Sequence, residues 1–354
     1  MKKRIIGVDL RCLPMDGSKG AGVEHAAREL WEVMYQEREK YSVELVGFVA
    51  KGAWMESEEG IVRLQNDSGG ELRRVLREMK ENIDALFVPS GAVTWGIEVP
   101  TYPWVHDLVI FDHPEWFPQA WWKRELTTRL YLRGLHRSKH VFTVSEDTSK
   151  AIQKIAGVDS MKITVTYQGS SERNAQTTSE SLVQGEYALI LGTVEPRKNI
   201  PFIISLWPEV ERRLGRSVQL VIAGRDGWGN VAIPDSPSIK RIRLFDDEQR
   251  DAFIRDASLL LLPSLHEGFG RLALEAMQEG TALIASDRGS LQEVVGSGGQ
   301  TLSLDRPEAW IEAIVTILSY ESEKARWQAQ GRSQAAKFRW EKVASTILAK
   351  LSRS

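Results

Sequence analysis

The chain has 354 residues, about twice a single domain of 150 or so, and two domains are therefore expected. Its 46 Lys and Arg against 48 Asp and Glu leave a formal charge of −2, which gives no electrostatic basis for nucleic-acid binding, and no nucleic-acid partner is expected. The single cysteine, Cys12, excludes an intrachain disulfide and a cysteine-based zinc cluster, and it fits a reducing, cytoplasmic setting.

The chain opens on Met1-Lys2-Lys3-Arg4 and a short apolar run at 5–10. Asp9 and Arg11 break that run too early for the apolar core of a signal peptide, so it reads as a strand. Further strand-like runs stand at 43–49, 85–88, 102–105, 140–144 and 163–167, then at 187–191, 218–223, 259–262 and 282–285. Several are apolar throughout, as suits parallel strands covered on both faces. The longest aliphatic run, Leu259 to Leu262, stops at Pro263, far short of the roughly 20 residues of a membrane span. Helical patterns lie between the runs, for example at 24–35, 123–135 and 248–257, and this alternation argues for an α/β architecture in each half. The stretch GSSERNAQTTSESLVQG reads as a linker, and after Pro307 the pattern is helical to the end. The expected organisation is a first domain at 1–168, a linker at 169–186, a second domain at 187–335 and a terminal helical tail at 336–354.

The richest chemistry lies in the second half. A buried strand ends at Pro263, a glycine-bearing loop carries His266, Glu267, Gly268, Phe269 and Gly270, and a helix runs from Arg271 to a stop at Gly280. Amides at a helix start favour an anion such as a diphosphate, and Gly268 and Gly270 let backbone come close to a ligand. Glu267 and Glu275 offer acceptors only, which suits the hydroxyls of a sugar or ribose and not a phosphate. Taken alone, such a pair reads more simply as a helix-capping charge and a solvated residue. Two further glycine turns change the balance: Gly192-Thr193-Val194-Glu195-Pro196-Arg197-Lys198-Asn199 and Ala223-Gly224-Arg225-Asp226-Gly227-Trp228-Gly229 each close a strand of the same series. Arginine presents a fork to phosphate oxygens and lysine a mobile point charge.

These segments, with LPSLHEGFGRLALEAMQEGTALIASDRGSLQEVVG and DRPEAWIEAI, resemble the donor-binding domain of family-4 glycosyltransferases, and the likeness extends along most of the chain. The resemblance implies the GT-B fold, two doubly wound Rossmann-like domains facing a cleft, with a terminal helix that returns to the first domain. It implies that Glu267 contacts the donor sugar, and that the amides of Gly268, Phe269 and Gly270 serve sugar and phosphate. Arg271 and Leu272 at the helix start and Arg225 join the donor-binding set, Glu275 holds the ribose, and Lys198 holds the diphosphate. Many members carry an arginine directly after the glycine that matches Gly192; here Thr193 stands there, with Arg197 as the candidate to compensate.

In the first half, Val105-His106-Asp107-Leu108 closes a strand and resembles the His-Asp-Leu element of the same family, which implies that His106 faces the donor sugar across the cleft. Ser145 stands where a helix N-cap is expected. Gly20-Ala21-Gly22-Val23-Glu24-His25 fails the dinucleotide fingerprint at its third glycine and lies too far beyond its strand, so NAD is rejected; the resemblance makes it a loop lining the cleft, with Gly22 near the donor phosphates. The stretch 116–140 holds Trp121, Trp122, Lys123, Arg124, Arg129, Arg133, Arg137 and Lys139. It is open to three readings: a membrane-surface patch, an aromatic acceptor platform, or an amphipathic helix that packs through Leu126, Leu130 and Tyr131, the last being preferred. Asp246-Asp247-Glu248 precedes a helix and suits its dipole, and the resemblance implies no metal and no cofactor.

The implied reaction moves a hexose from a nucleotide-diphosphate sugar to a hydroxyl of a glycan, lipid-linked or small-molecule acceptor, with retention. Mannosyltransferases using GDP-mannose carry these elements, which puts that donor first. A second GT-B activity such as nucleotide-sugar epimerisation, or a non-catalytic nucleotide-sugar-binding partner protein, is the alternative. The expected location is the cytoplasm, with contact at the inner face of a membrane.

Overall fold

A computed structural model describes residues 3–16, 22–79, 82–118, 120–170 and 183–353, without the side chain of Trp121. The chain divides into two compact units. The first takes Met1–Asp112, Gln119–Ser171 and Arg339–Ser354; the second takes His113–Pro118 and Glu172–Phe338. Of the linker expected at 169–186, residues 171–182 lie outside the described residues, as do 17–21 of the glycine-rich loop.

The first unit is built on seven parallel strands: β1 (Arg4–Asp9), β2 (Val43–Ala50), β3 (Ile61–Leu64), β4 (Ala85–Val88), β5 (Thr101–Val105), β6 (Val141–Thr143) and β7 (Ile163–Val165). Their order across the sheet is β3-β2-β1-β4-β5-β6-β7. The strands at its centre read as near-continuous apolar runs because helices cover both faces. The terminal helix Trp340–Arg353 belongs to this unit: Arg4 donates to the Leu351 carbonyl at 2.9 Å, and Trp340 meets the buried Trp104 edge-on with ring centroids 6.2 Å apart. Gly169 leaves room for it, since a β-carbon there would lie 2.4 Å from the Trp340 backbone nitrogen.

The second unit carries six parallel strands: β8 (Tyr187–Leu191), β9 (Gln219–Ala223), β10 (Ile239–Ile242), β11 (Leu259–Leu262), β12 (Leu283–Ser286) and β13 (Gln300–Leu302). Their order is β10-β9-β8-β11-β12-β13. All four leucines of β11 are buried, each contributing about 1.5–3 kcal/mol of transfer free energy, which anchors the middle of the sheet. Trp207 and Trp310, from helices Ile200–Leu214 and Pro307–Ser319, fill the same core.

Among the elements not legible as such are three strands and the helix Gly69–Glu78. β3, β10 and β13 are half-buried strands at sheet edges, where one side needs no apolar cover. The helix Gly69–Glu78 begins on two glycines, and only its cap marks it: the Ser68 hydroxyl accepts from the Glu71 amide at 3.2 Å. The preferred packing of helix Trp121–Arg137 is corrected. Leu126 and Leu130 are 56% and 46% exposed; Leu135 is buried instead, and Tyr131 lies against Phe111 at 5.2 Å. The helix turns a different stripe inward, because the hydrophobic positions of this sequence lie on more than one face. Elsewhere the caps follow the residues. Ser145 accepts from Thr148 at 3.0 Å, and Asp246 with Gln249 forms a reciprocal capping box at the head of Asp247–Asp256.

In the second unit the turns after β8 and β9 are zipped together. Gly192 donates to the Ala223 carbonyl, Val194 to that of Arg225 and Gly227 to that of Val194, at 2.9–3.0 Å. A β-carbon on Gly224, at φ 151°, would lie 1.9 Å from the Gly192 carbonyl oxygen. Gly224→Ala is therefore expected to destabilise the protein by about 3 kcal/mol through backbone strain and overpacking, read as a lowered urea midpoint at unchanged slope.

Candidate active site

In the second unit the strand order reverses between β8 and β11: β8 to β10 progress in one direction, and β11 to β13 continue on the other side of β8. Ligands of open parallel sheets collect at the carboxyl ends of strands at such a switch point. The loop after β8 carries Arg197 and Lys198, the loop after β11 carries Glu267, and the two are joined where Leu265 donates to the Arg197 carbonyl at 2.8 Å.

Glu267 is the hub. One carboxylate oxygen accepts from Lys198 Nζ at 2.7 Å and from the Ser264 hydroxyl at 2.8 Å; the other accepts from Arg197 Nη1 at 2.9 Å. Its main chain is held as well. The Ser290 amide and hydroxyl both donate to its carbonyl, at 3.0 and 2.9 Å, and a β-carbon on Gly289 would lie 2.5 Å from that oxygen. Burial alone would raise the Glu267 pKa, but Lys198 and Arg197 outweigh it and hold the carboxyl at about 2. The group is thus a fixed anion at neutral pH.

The two cations differ. Arg197 also donates to the His266 carbonyl at 2.9 Å and pairs with Glu195, itself buried, at 2.6 Å, so its guanidinium pins the two loops together. Its fork is engaged by the carboxylates of Glu195 and Glu267 and by the His266 carbonyl. Among the described residues the Lys198 ammonium pairs with Glu267 alone, and its stem passes Gly192, whose absent β-carbon would stand 3.8 Å from Cε. Thr193 is exposed beside Gly227.

The helix Arg271–Glu279 starts on Gly270, whose φ of 85° is a left-handed position; a β-carbon there would meet Leu291 at 2.8 Å. This turn presents the first amides and the positive end of the helix beside Gly268, Phe269 and Leu272. Glu275, one turn in, is buried and clamped by Arg271 Nε at 3.2 Å and by Arg250. Arg250 comes from Asp247–Asp256, a helix 25 positions earlier in the chain, and no local pattern announces it. Arg225 lies on the turn after β9 as an exposed side chain outside this cluster.

The remaining candidates sit in the first unit. His106 follows β5. Its Nε2 lies 2.8 Å from the Pro89 carbonyl, which can only accept, so that nitrogen carries the proton and Nδ1 accepts from the Gln168 amide at 3.1 Å. Gln168 is placed by Tyr167, whose φ of 62° ends the strand region sooner than the apolar run suggests. Gly22, at φ 57°, is the N-cap of helix Val23–Glu37.

Solved structures share this architecture over the whole chain. Sucrose-phosphate synthase from Thermosynechococcus elongatus superposes with a TM-score of 0.68 at 18% identity, covering 99% of this chain and 98% of that one. HepE from Anabaena, in complex with UDP and glucose, gives 0.68 at 17%, covering 99% and 100%. The fold class is GT-B, two Rossmann-like parallel-sheet domains with C-terminal helices. Residues 174–334 match the family model described as glycosyl transferases group 1. Curated relatives include O-antigen chain mannosyltransferase B of Escherichia coli, 28% identical over 257 residues, 67% of this chain and 66% of that protein. Phosphatidyl-myo-inositol mannosyltransferase of Mycobacterium tuberculosis is 29% identical over 176 residues, 47% and 46% of the two chains. The matched region spans less than two thirds of the length of these relatives.

Proposed function

We propose that the protein is a retaining glycosyltransferase that moves a hexose from a nucleotide-diphosphate sugar to a hydroxyl of a glycan, lipid-linked or small-molecule acceptor, with GDP-mannose as the first donor to test. The carrying observation is the ionised Glu267 held between Lys198 and Arg197 at the switch point, with Glu275 one helical turn beyond the amide-lined helix start. The family match and the mannosyltransferase names of the curated relatives support the same reading.

In this reaction the bond from the anomeric carbon to the β-phosphate breaks while the acceptor oxygen bonds to that carbon from the same face. A leaving phosphate oxygen takes the acceptor's proton. Negative charge grows on the phosphate, where Lys198 and the helix amides stabilise it. Positive charge grows on the sugar ring, where the Glu267 carboxylate is favourable; with a pKa of about 2 it serves as an acceptor of sugar hydroxyls and not as a proton donor. Glu275 accepts from ribose hydroxyls, with Arg271 and Arg250 holding its orientation. A location in the cytoplasm at the inner membrane face belongs to the same reading, supported by the exposed Trp122, Leu126 and Leu130 beside basic residues; among the described residues no helix is long and apolar enough to cross a membrane.

Thermal unfolding against GDP-, UDP-, ADP- and dTDP-sugars tests the donor. A ligand at a hundred times its dissociation constant stabilises by about 2.7 kcal/mol. One nucleotide class is expected to shift the transition, and Glu275→Gln is expected to remove most of the shift. No shift with any of the four would overturn the reading. His106→Ala is expected to keep the shift and to lower turnover about ten- to a hundred-fold, measured as kcat at saturating donor.

A further inference from the structure

The first unit has a second concave site, of about 690 Å³, between helices Gly69–Glu78 and Trp121–Arg137. Arg73, Arg77, Arg133, Arg137 and Lys139 line it against one carboxylate, Glu98. Val93, Ile97 and Val99 form a half-buried apolar floor, and Trp95, 60% exposed, stands at the rim. Arg73 is held in place by its bond to the Trp95 carbonyl at 2.7 Å, and Arg77 lies 3.7 Å from Glu98. The side chains of Arg133, Arg137 and Lys139 make no ion pair or hydrogen bond among the described residues.

Five cations against one carboxylate give the groove a positive potential that favours an anion. Neighbouring cations repel one another and raise the local potential, and among the described residues only Arg77 of these five gains an ion pair in return. A solvated basic face would explain the charge but not the concavity, the apolar floor or the exposed indole. The groove touches Thr101, the first residue of β5, whereas His106 follows the last, Val105. At about 3.3 Å per residue the two ends of that strand stand roughly 13 Å apart, so an occupant does not share the His106 end of the sheet.

We propose that this groove binds a phosphate or diphosphate ester that carries an apolar body. The guanidinium forks and the lysine engage the phosphate oxygens, and the floor and Trp95 cover the apolar part. The same chemistry is offered by a free phosphate ester and by an anionic lipid headgroup. The inference stands apart from the donor site and does not depend on glycosyl transfer.

The test uses the full chain with Lys198→Gln, which removes the donor-site lysine, with and without the triple change Arg133→Gln, Arg137→Gln and Lys139→Gln. One arm titrates inorganic pyrophosphate by calorimetry. The other floats the protein with vesicles of equimolar phosphatidylglycerol and phosphatidylcholine, and with phosphatidylcholine alone. The triple change is expected to weaken pyrophosphate about tenfold or more, or to abolish flotation with the anionic vesicles, the first result assigning a free ester and the second a lipid headgroup. All three side chains are exposed, so circular dichroism should show an unchanged fold. Absence of binding in both arms, or equal binding with and without the triple change, overturns the proposal.

Discussion

Glu267→Gln is expected to lower kcat about 10²- to 10³-fold and to remove one acid-sensitive contribution to stability. The kinetic part follows from charge: glutamine keeps the shape and one acceptor but cannot balance positive charge on the sugar ring. The stability part follows from the pKa. The carboxyl titrates at about 2 in the folded protein, below the ordinary 4.5, because Lys198 and Arg197 outweigh its burial. A depressed folded pKa contributes stability that is complete above the unfolded value and is lost as pH falls through the folded one. The wild type should therefore lose this contribution between pH 4.5 and about 2. The glutamine variant should already lack it at neutral pH, by about 2–3 kcal/mol, and should fall less steeply over the acid range. Urea unfolding at neutral and acid pH measures the difference, and an equal acid slope in both proteins would contradict the ion-pair account. The same pKa predicts that Glu267 adds no titration step to kcat between pH 5 and 8, whereas a catalytic acid at that position would add one.

The parts of this site that could be read in the sequence are those whose determinants are local. Gly270 before an apolar helix, the buried run of β11 and the glycines closing β8 and β9 each announce a turn at a strand end. The pairing of Arg250 with Glu275 could not be read, because two helices bring it together through the sheet and not through sequence spacing. The same holds for Gln168 on His106, which depends on a left-handed residue, Tyr167, that no propensity favours. Helix Trp121–Arg137 misled in the opposite sense. Its leucines stand at helical spacing, but the face that meets the sheet is decided by the partner surface, and Leu126 and Leu130 face outward. Edge strands such as Ile239–Ile242 carry Lys240 and Arg241 within four residues, and Arg241 turns back to bond the carbonyls of Ile222 and Ile242 at 3.0 and 2.7 Å. Charge inside a strand conceals it from a reading based on apolar runs.

Adjacent in sequence, Arg197 and Lys198 are expected to separate cleanly on substitution. Lys198→Gln should lower the melting temperature less than loss of Arg197, since Glu267 keeps Arg197 and Ser264, and should lower kcat about 10²- to 10³-fold by removing the mobile cation from the leaving diphosphate. Arg197→Met should act through the fold. It removes the fork that joins Glu195, Glu267 and the His266 carbonyl, and it leaves Glu195, 3% exposed, as a buried carboxylate without its cation. Breaking one side of such a pair costs about 3–5 kcal/mol, which calorimetry would show as a lowered unfolding temperature before any kinetics are measured. Arg197→Lys should recover only part of that loss, because an ammonium cannot reproduce the planar set of bonds. If Arg197 served the diphosphate directly, its variants would instead lose donor affinity at unchanged stability. The ordering of melting temperatures among these three variants therefore decides which of the two cations holds the site together and which one meets the donor.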